Sequence, residues 1–144
     1  MINNASYQPL ANDISNKIRR LCQQGYKHYD SDDLKTAIRV FYSAWTLLPK
    51  PQSQWLEAGW ILTALGDAYI AKSEFKNAKE ALLSALHCPA TVGNPVIHLR
   101  LGQCHYELGE NDAAQEQFKL TINNGGEALF YQQDNKYQVL LTAK

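Results

Sequence analysis

The chain has 144 residues, enough for one domain with a packed core and too few for two comfortable ones. Its 45 % hydrophobic content is ordinary for a globular protein and excludes a disordered chain. Fourteen Lys and Arg balance fourteen Asp and Glu, and the longest basic cluster is Lys17, Arg19 and Arg20, too short for a general nucleic-acid-binding face.

Nearly every segment carries helical periodicity. Ile14, Ile18 and Leu21 share one face of a first helix, capped by Asn12 or Asp13 and running to about Tyr29. The Asp30-Ser31-Asp32-Asp33 turn supplies cap oxygens and charge for a second helix, about Leu34 to Leu48, stopped by Pro49 and Pro51. A third helix is expected from near Gln52 to Ala71 or Lys72. A fourth spans about Glu74 to His87, ended by Pro89. After the Thr91–Pro95 loop, with Pro95 suited to a first helical position, a fifth covers about Val96 to Leu108. A sixth covers Asp112 to Asn123 and stops at Gly125-Gly126. The last, about Glu127 to Thr142, carries Phe130, Tyr137 and Leu141 on one stripe. No strand pattern of convincing length is present, and the fold class is all-α.

A fixed block recurs within this series. Gly25, Ala37 and Phe41 are followed by Gly66, Ala78 and Leu82, then by Gly102, Ala114 and Phe118. The gaps inside each set are twelve and four residues, and the sets are shifted by 41 and 36. Such a period means stacked helical hairpins. The small residues are expected to face each other where paired helices cross, with Phe41, Leu82 and Phe118 filling the wedge beside them. One deletion would rotate a helix by about 100° and destroy the match.

These residues resemble the tetratricopeptide repeat, whose period is ~34 residues. Leu62, Leu65-Gly66, Tyr69, Ala78, Leu82 and Ala85 match that pattern best, with Pro89 one place early. Leu21, Gly25, Ala37, Phe41, Ala44 and Pro49 form the first unit, with Gln24 and His28 where Leu and Tyr are usual. Leu101-Gly102, Ala114 and Phe118 form the third, broken by His98, His105, Thr121 and Gly126. The resemblance covers about residues 18–126. It implies one domain over 1–144, a right-handed solenoid with units at about 18–51, 59–92 and 95–128 and a first-helix extension at about 10–17. The longer first shift implies a third helix lengthened over 52–58 by about 10 Å. Lys136 stands where a fourth glycine would fall, so 127–142 reads as a capping helix.

The resemblance also implies a concave groove lined by the first helix of each unit. Its positions fall on Arg19, Cys22, Tyr26 and Tyr29, then Trp60, Thr63, Asp67 and Ile70, then Val96, Leu99, Gln103 and Tyr106. Partner contacts are expected from Arg19, Tyr26, Tyr29, Trp60, Asp67, Ile70, Leu99, Gln103 and Tyr106. Aromatic side chains in such a groove suit a bound peptide or helix of another protein. The Lys, Arg and Asn clamp that some family members use for a C-terminal carboxylate is not reproduced: Tyr26, Thr63 and Ala64 occupy its positions, and Arg100 stands alone.

Other chemistry finds no support. His98 and His105 lie seven residues apart, about 10 Å along a helix, and cannot share one metal. Asp30, Asp32 and Asp33 lack the central Gly and closing Glu of a calcium loop. Cys22, Cys88 and Cys104 form no CxxC pair, so free thiols in a reduced, cytoplasmic protein are expected. Met1 to Leu10 does not read as a signal peptide, and no stretch approaches the ~18 apolar residues of a membrane span. The expected function is non-catalytic protein binding, without metal, cofactor, nucleic acid or membrane. Chaperoning of a secreted partner and immunity-type inhibition of a toxin are its subtypes. Self-assembly into a homodimer through the Trp55 region is the structural alternative.

Overall fold

The computed structural model describes residues 9–142, so most of the segment weighed as a signal peptide lies outside the described residues. Among the described residues eight α-helices follow one another: α1 (Asn12–Asp30), α2 (Leu34–Trp45), α3 (Leu56–Ala71), α4 (Phe75–Ala85), α5 (Pro95–Glu107), α6 (Asn111–Thr121), α7 (Glu127–Tyr131) and α8 (Asn135–Thr142). No strand occurs among the described residues. The strongest packing joins α1 to α2, α3 to α4 and α5 to α6, which makes three antiparallel hairpins. Between hairpins, α1 packs on α3 and α3 on α5, so the first helices form one continuous inner layer. The outer helices splay, leaving a cleft of about 220 Å³ between α2 and α4 above Leu62 and Leu65 of α3. A layer that touches on one side and opens on the other is curved, with its concave face on α1, α3 and α5.

The recurring block explains the hairpins, with one correction. Each repeat glycine meets the large residue directly, not the alanine. A Cβ on Gly25 would overlap the Phe41 ring, one on Gly102 the Phe118 ring, and one on Gly66 would lie 2.7 Å from Leu82. Phe41, Leu82 and Phe118 are fully buried. The alanines serve a different contact: Ala78 packs with Leu82, Ala85, Ile97 and Leu101, in the layer between the second and third hairpins.

The hairpin turns are identical in construction. Asp32, Ser73 and Gly109 all take the left-handed conformation, with φ of 62°, 60° and 80°. The next residues are Asp33, Glu74 and Glu110, each at the head of a second helix. Their amides return to His28, Tyr69 and His105 at 2.9, 2.8 and 2.8 Å. Asp33 also accepts from the Thr36 amide, and hydrogen bonding to the Thr36 side chain, followed by that amide bond, holds its carboxyl below the ordinary carboxylate range.

Several boundaries differ from those read in the sequence. Ala11, not Asn12 or Asp13, precedes α1, and it offers no side-chain cap. The lengthened third helix is not continuous. Residues Gln52–Gln54 form a 3-10 turn, Trp55 is extended, and α3 begins at Leu56. The cause is local: Gln52 Nε2 donates to the Trp45 carbonyl and Trp55 Nε1 to the Pro49 carbonyl, folding the insertion back onto the end of α2. Trp55 packs half-buried on the core of the first hairpin, so much of the surface expected for a homodimer is used within the chain. The expected capping helix is two helices, α7 and α8. Gly125-Gly126 ends the sixth helix, as the sequence indicates, and also redirects the chain: Asn124 and Gly125 leave helical geometry, Gly125 with a left-handed φ of 91°, and the chain kinks there into α7. Phe130 and Tyr137 still cover the end of the third hairpin, with ring centroids 5.1 and 5.6 Å from Phe118.

Candidate functional site

The twelve groove positions form four rows of three on the inner layer. The outermost row is Arg19, Trp60 and Val96. Arg19 is exposed and its guanidinium lies 5.4 Å from the Trp60 ring centre, a cation–π stack. Trp60 and Val96 each keep 37 % of their surface in solvent, a large uncommitted area for an aromatic and a valine on helices otherwise buried. In the next row, Cys22 and Thr63 are half-buried, and Thr63 Oγ1 donates to the Gly59 carbonyl at 2.7 Å. Leu99 is fully buried against Phe118, Phe130 and Tyr137. It is therefore not a surface contact: α7 packs over it as the next inner-layer element, and it belongs to the core.

The third row carries the polar chemistry. Tyr26 Oη donates to Asp67 Oδ2 at 2.9 Å, and Arg100 Nε donates to Asp67 Oδ1 at 3.0 Å. Arg100 Nη1 then donates to Gln103 Oε1 at 3.2 Å, and Gln103 Nε2 to Gln133 Oε1 at 3.0 Å. Gln133 Nε2 ends the series on the Leu129 carbonyl at 3.1 Å. One bonded chain thus crosses all three hairpins and the terminal segment. Both Asp67 oxygens are occupied and its charge is matched by Arg100. Gln103 is only 6 % exposed and bonded on both ends of its amide. The row is a rigid, internally neutralised floor. Burial, followed by the Asp67 carboxylate, drives the Tyr26 hydroxyl pKa far above its ordinary value, so Tyr26 remains a neutral donor.

Tyr29, Ile70 and Tyr106 form the fourth row, all half-buried. Tyr29 stacks edge-on against Tyr26 at 5.8 Å. Tyr106 is held edge-on to Tyr137 at 5.2 Å, with Lys136 Nζ 5.8 Å from its ring. That lysine is anchored by Glu107 Oε1 at 2.6 Å. Of the nine expected contacts, Leu99 lies in the core, and the other eight sit on the inner layer with divided roles. Arg19 and Trp60 face outward, Tyr29, Ile70 and Tyr106 offer ring or chain edges, and Tyr26, Asp67 and Gln103 make the floor. Sequence reading missed Gln133 and set Arg100 aside as a lone cation. The available signal was charge: Asp67 is the one carboxylate in the four rows, and a half-buried carboxylate needs a cation on a neighbouring helix.

The reactive residue types are structural. Burial pushes the Cys22 thiol up to about 11 and Cys104 to about 12, and raises Cys88. Burial thus disfavours the thiolate form that a nucleophilic cysteine needs. His98 is buried, with Nδ1 2.8 Å from Gln117 Oε1 and Nε2 accepting from the Gly93 amide at 3.1 Å. That pairing assigns the neutral tautomer with its proton on Nδ1. His105 meets Glu110 at 2.8 Å. No group of three or more His, Cys, Asp or Glu suited to a metal exists among the described residues, and no described helix is long and apolar enough to cross a membrane.

No family model matches the sequence, and no curated protein matches it. Solved structures do. The Yersinia enterocolitica type III secretion chaperone SycD, in complex with a peptide of the translocator YopD, superposes with a TM-score of 0.70 at 15 % identity, covering 89 % of this chain and 92 % of that one. PcrH from Pseudomonas aeruginosa gives 0.68 at 19 % identity, covering 96 % and 97 %. PcrH in complex with the chaperone binding region of PopD gives 0.70 at 17 %, covering 93 % and 92 %. At such identities the likeness shows the fold, an all-α solenoid of tetratricopeptide-like hairpins.

Proposed function

We propose that this chain is a non-catalytic binding module, organised as one domain with units at about 18–51, 59–92 and 95–128, that holds an extended or helical segment of another protein on its concave face. Chaperoning of that partner is the favoured subtype, because two of the structures that share the fold hold a peptide of the translocator YopD and the chaperone binding region of PopD. The observation that carries the reading is the exposed row Arg19, Trp60 and Val96 above a floor whose polar groups are already paired. A paired floor asks for no charge from a ligand. An exposed aromatic flanked by a cation and an aliphatic side chain offers area at small entropic cost. Three unpaired, buried or half-buried thiols fit a reducing compartment such as the cytoplasm.

The experiment is selection of binders from a displayed peptide library, followed by affinity measurement against a variant carrying Arg19→Ala and Trp60→Ala. Both residues project outward, so the variant retains its helical circular dichroism. Loss of affinity by about tenfold or more is expected, a typical hot-spot effect. Selected peptides that bind the folded variant unchanged, or no peptide selected at all, defeat the reading.

A further inference from the structure

The zero net charge conceals a strong asymmetry along the array. Residues 9–51, which hold the first hairpin, carry seven Lys or Arg against four Asp. Residues 95–142, which hold the third hairpin and the terminal helices, carry three Lys or Arg against six Asp or Glu. The two ends therefore attract one another between molecules and repel their own kind.

Local structure at the ends matches this field. On the first hairpin a cleft of about 310 Å³ opens between α1 and the chain leaving α2, lined by Ile14 and Leu47, by the cations Lys17 and Arg20, and by Asp13 and Asn16, so that two cations outweigh one carboxylate. Neither cation has an ion-pair partner among the described residues. At the opposite end, Tyr131 of α7 is 52 % exposed, and Glu127 stands exposed one turn before it on the same helix face. One end offers a cleft with two apolar side chains and a net positive rim. The other offers a projecting ring with a carboxylate.

We infer that this chain associates head to tail with further copies of itself, the Tyr131 and Glu127 end of one molecule docking into the Ile14 and Leu47 cleft of the next beside Lys17 and Arg20. The contact uses two different surfaces, so it does not close on itself as a two-fold dimer does, and it repeats. It extends the stacking of hairpins within the chain to stacking between chains. It is independent of the concave face and of any partner bound there.

The test uses sedimentation velocity on the full chain and two variants, one with Lys17→Glu and Arg20→Glu, the other with Glu127→Lys and Tyr131→Ala. In about 20 mM salt the unmodified chain is expected to sediment faster with rising concentration, without a plateau at dimer, and to revert to monomer at about 500 mM salt. Each variant alone is expected to be monomeric, because each has lost one end. An equimolar mixture of the two is expected to form a one-to-one dimer and nothing larger, since one intact cleft meets one intact ring. All these positions are exposed or half-exposed, and circular dichroism confirms folding of both variants. A monomeric unmodified chain at low salt overturns the inference. So does association that persists in either variant alone, or a mixture that stays monomeric. The last two results would assign the cleft to a symmetric dimer or to an acidic segment of another protein.

Discussion

Ser73 shows how a single backbone angle carries the repeat. It holds the left-handed conformation at the turn between α3 and α4, where Gly109 stands in the third hairpin and Asp32 in the first. A non-glycine residue there costs about 1 kcal/mol, less for Asp, whose short side chain tolerates the region better. Serine has no such relief, and its substitution by glycine gives part of the gain back through the freer unfolded chain. Ser73→Gly is therefore expected to stabilise the protein by about 0.5 kcal/mol, and Asp32→Gly by less. Equilibrium urea unfolding measures both, and a destabilised Ser73→Gly would mean that the side chain makes an unrecognised contribution. The three turns also show a second phase of the repeat, left-handed residue then acidic cap, seven and eight residues after each glycine. It was present in the sequence but hidden, because Asp, Ser and Gly share no chemistry, only a tolerance for one region of backbone space.

The helices α7 and α8 have five and eight residues. Neither is long enough to be stable alone, so both exist by packing. Phe130 is the anchor: it is fully buried and reaches Phe118 and the Leu99 cluster. Phe130→Ala is expected to cost about 3 kcal/mol, the usual range for a fully buried aromatic. Hydrogen exchange is expected to show the loss concentrated in α5 to α8, with α1 to α4 protected as before, because each hairpin leans on its neighbours only. Uniform loss along the chain would show an array that unfolds as one unit instead. The hairpins were legible in the sequence because the Gly and large-residue spacing is fixed by contact: one has no room for a Cβ and the other fills the space. The break at Gln132–Asp134 and the 3-10 turn at Gln52–Gln54 were not legible. Both are accompanied by side-chain bonds back to nearby carbonyls, such as Trp55 to Pro49 and Gln138 to Tyr131, which leave helical periodicity intact. The groove rows were legible as a layer, and their division into surface and floor was not. Asp67 and Arg100 are 33 residues apart, and only the stacking of α3 on α5 joins them.

At the scale of the molecule, two kinds of recognition are separated by their electrostatics. The concave face is close to neutral in detail as well as in sum. Arg100 offsets Asp67 and Lys136 offsets Glu107, leaving Arg19 as the prominent free cation among the groove positions. The ends of the array are the reverse, with unlike charges held at opposite poles. Salt screens exposed charges across a Debye length of about 10 Å at 0.1 M, and acts little on apolar burial. Raising salt from about 50 to about 500 mM is therefore expected to change the affinity of a groove-bound peptide by less than about threefold, while weakening self-association by about tenfold or more. Titrating a selected peptide by fluorescence at both salt concentrations, alongside sedimentation of the free chain, measures the two effects on one protein. A peptide whose affinity falls as steeply as the self-association would show that it binds at the basic end of the array, not over Trp60. A peptide that resists salt while blocking self-association would show that the groove and the end contact compete for one surface.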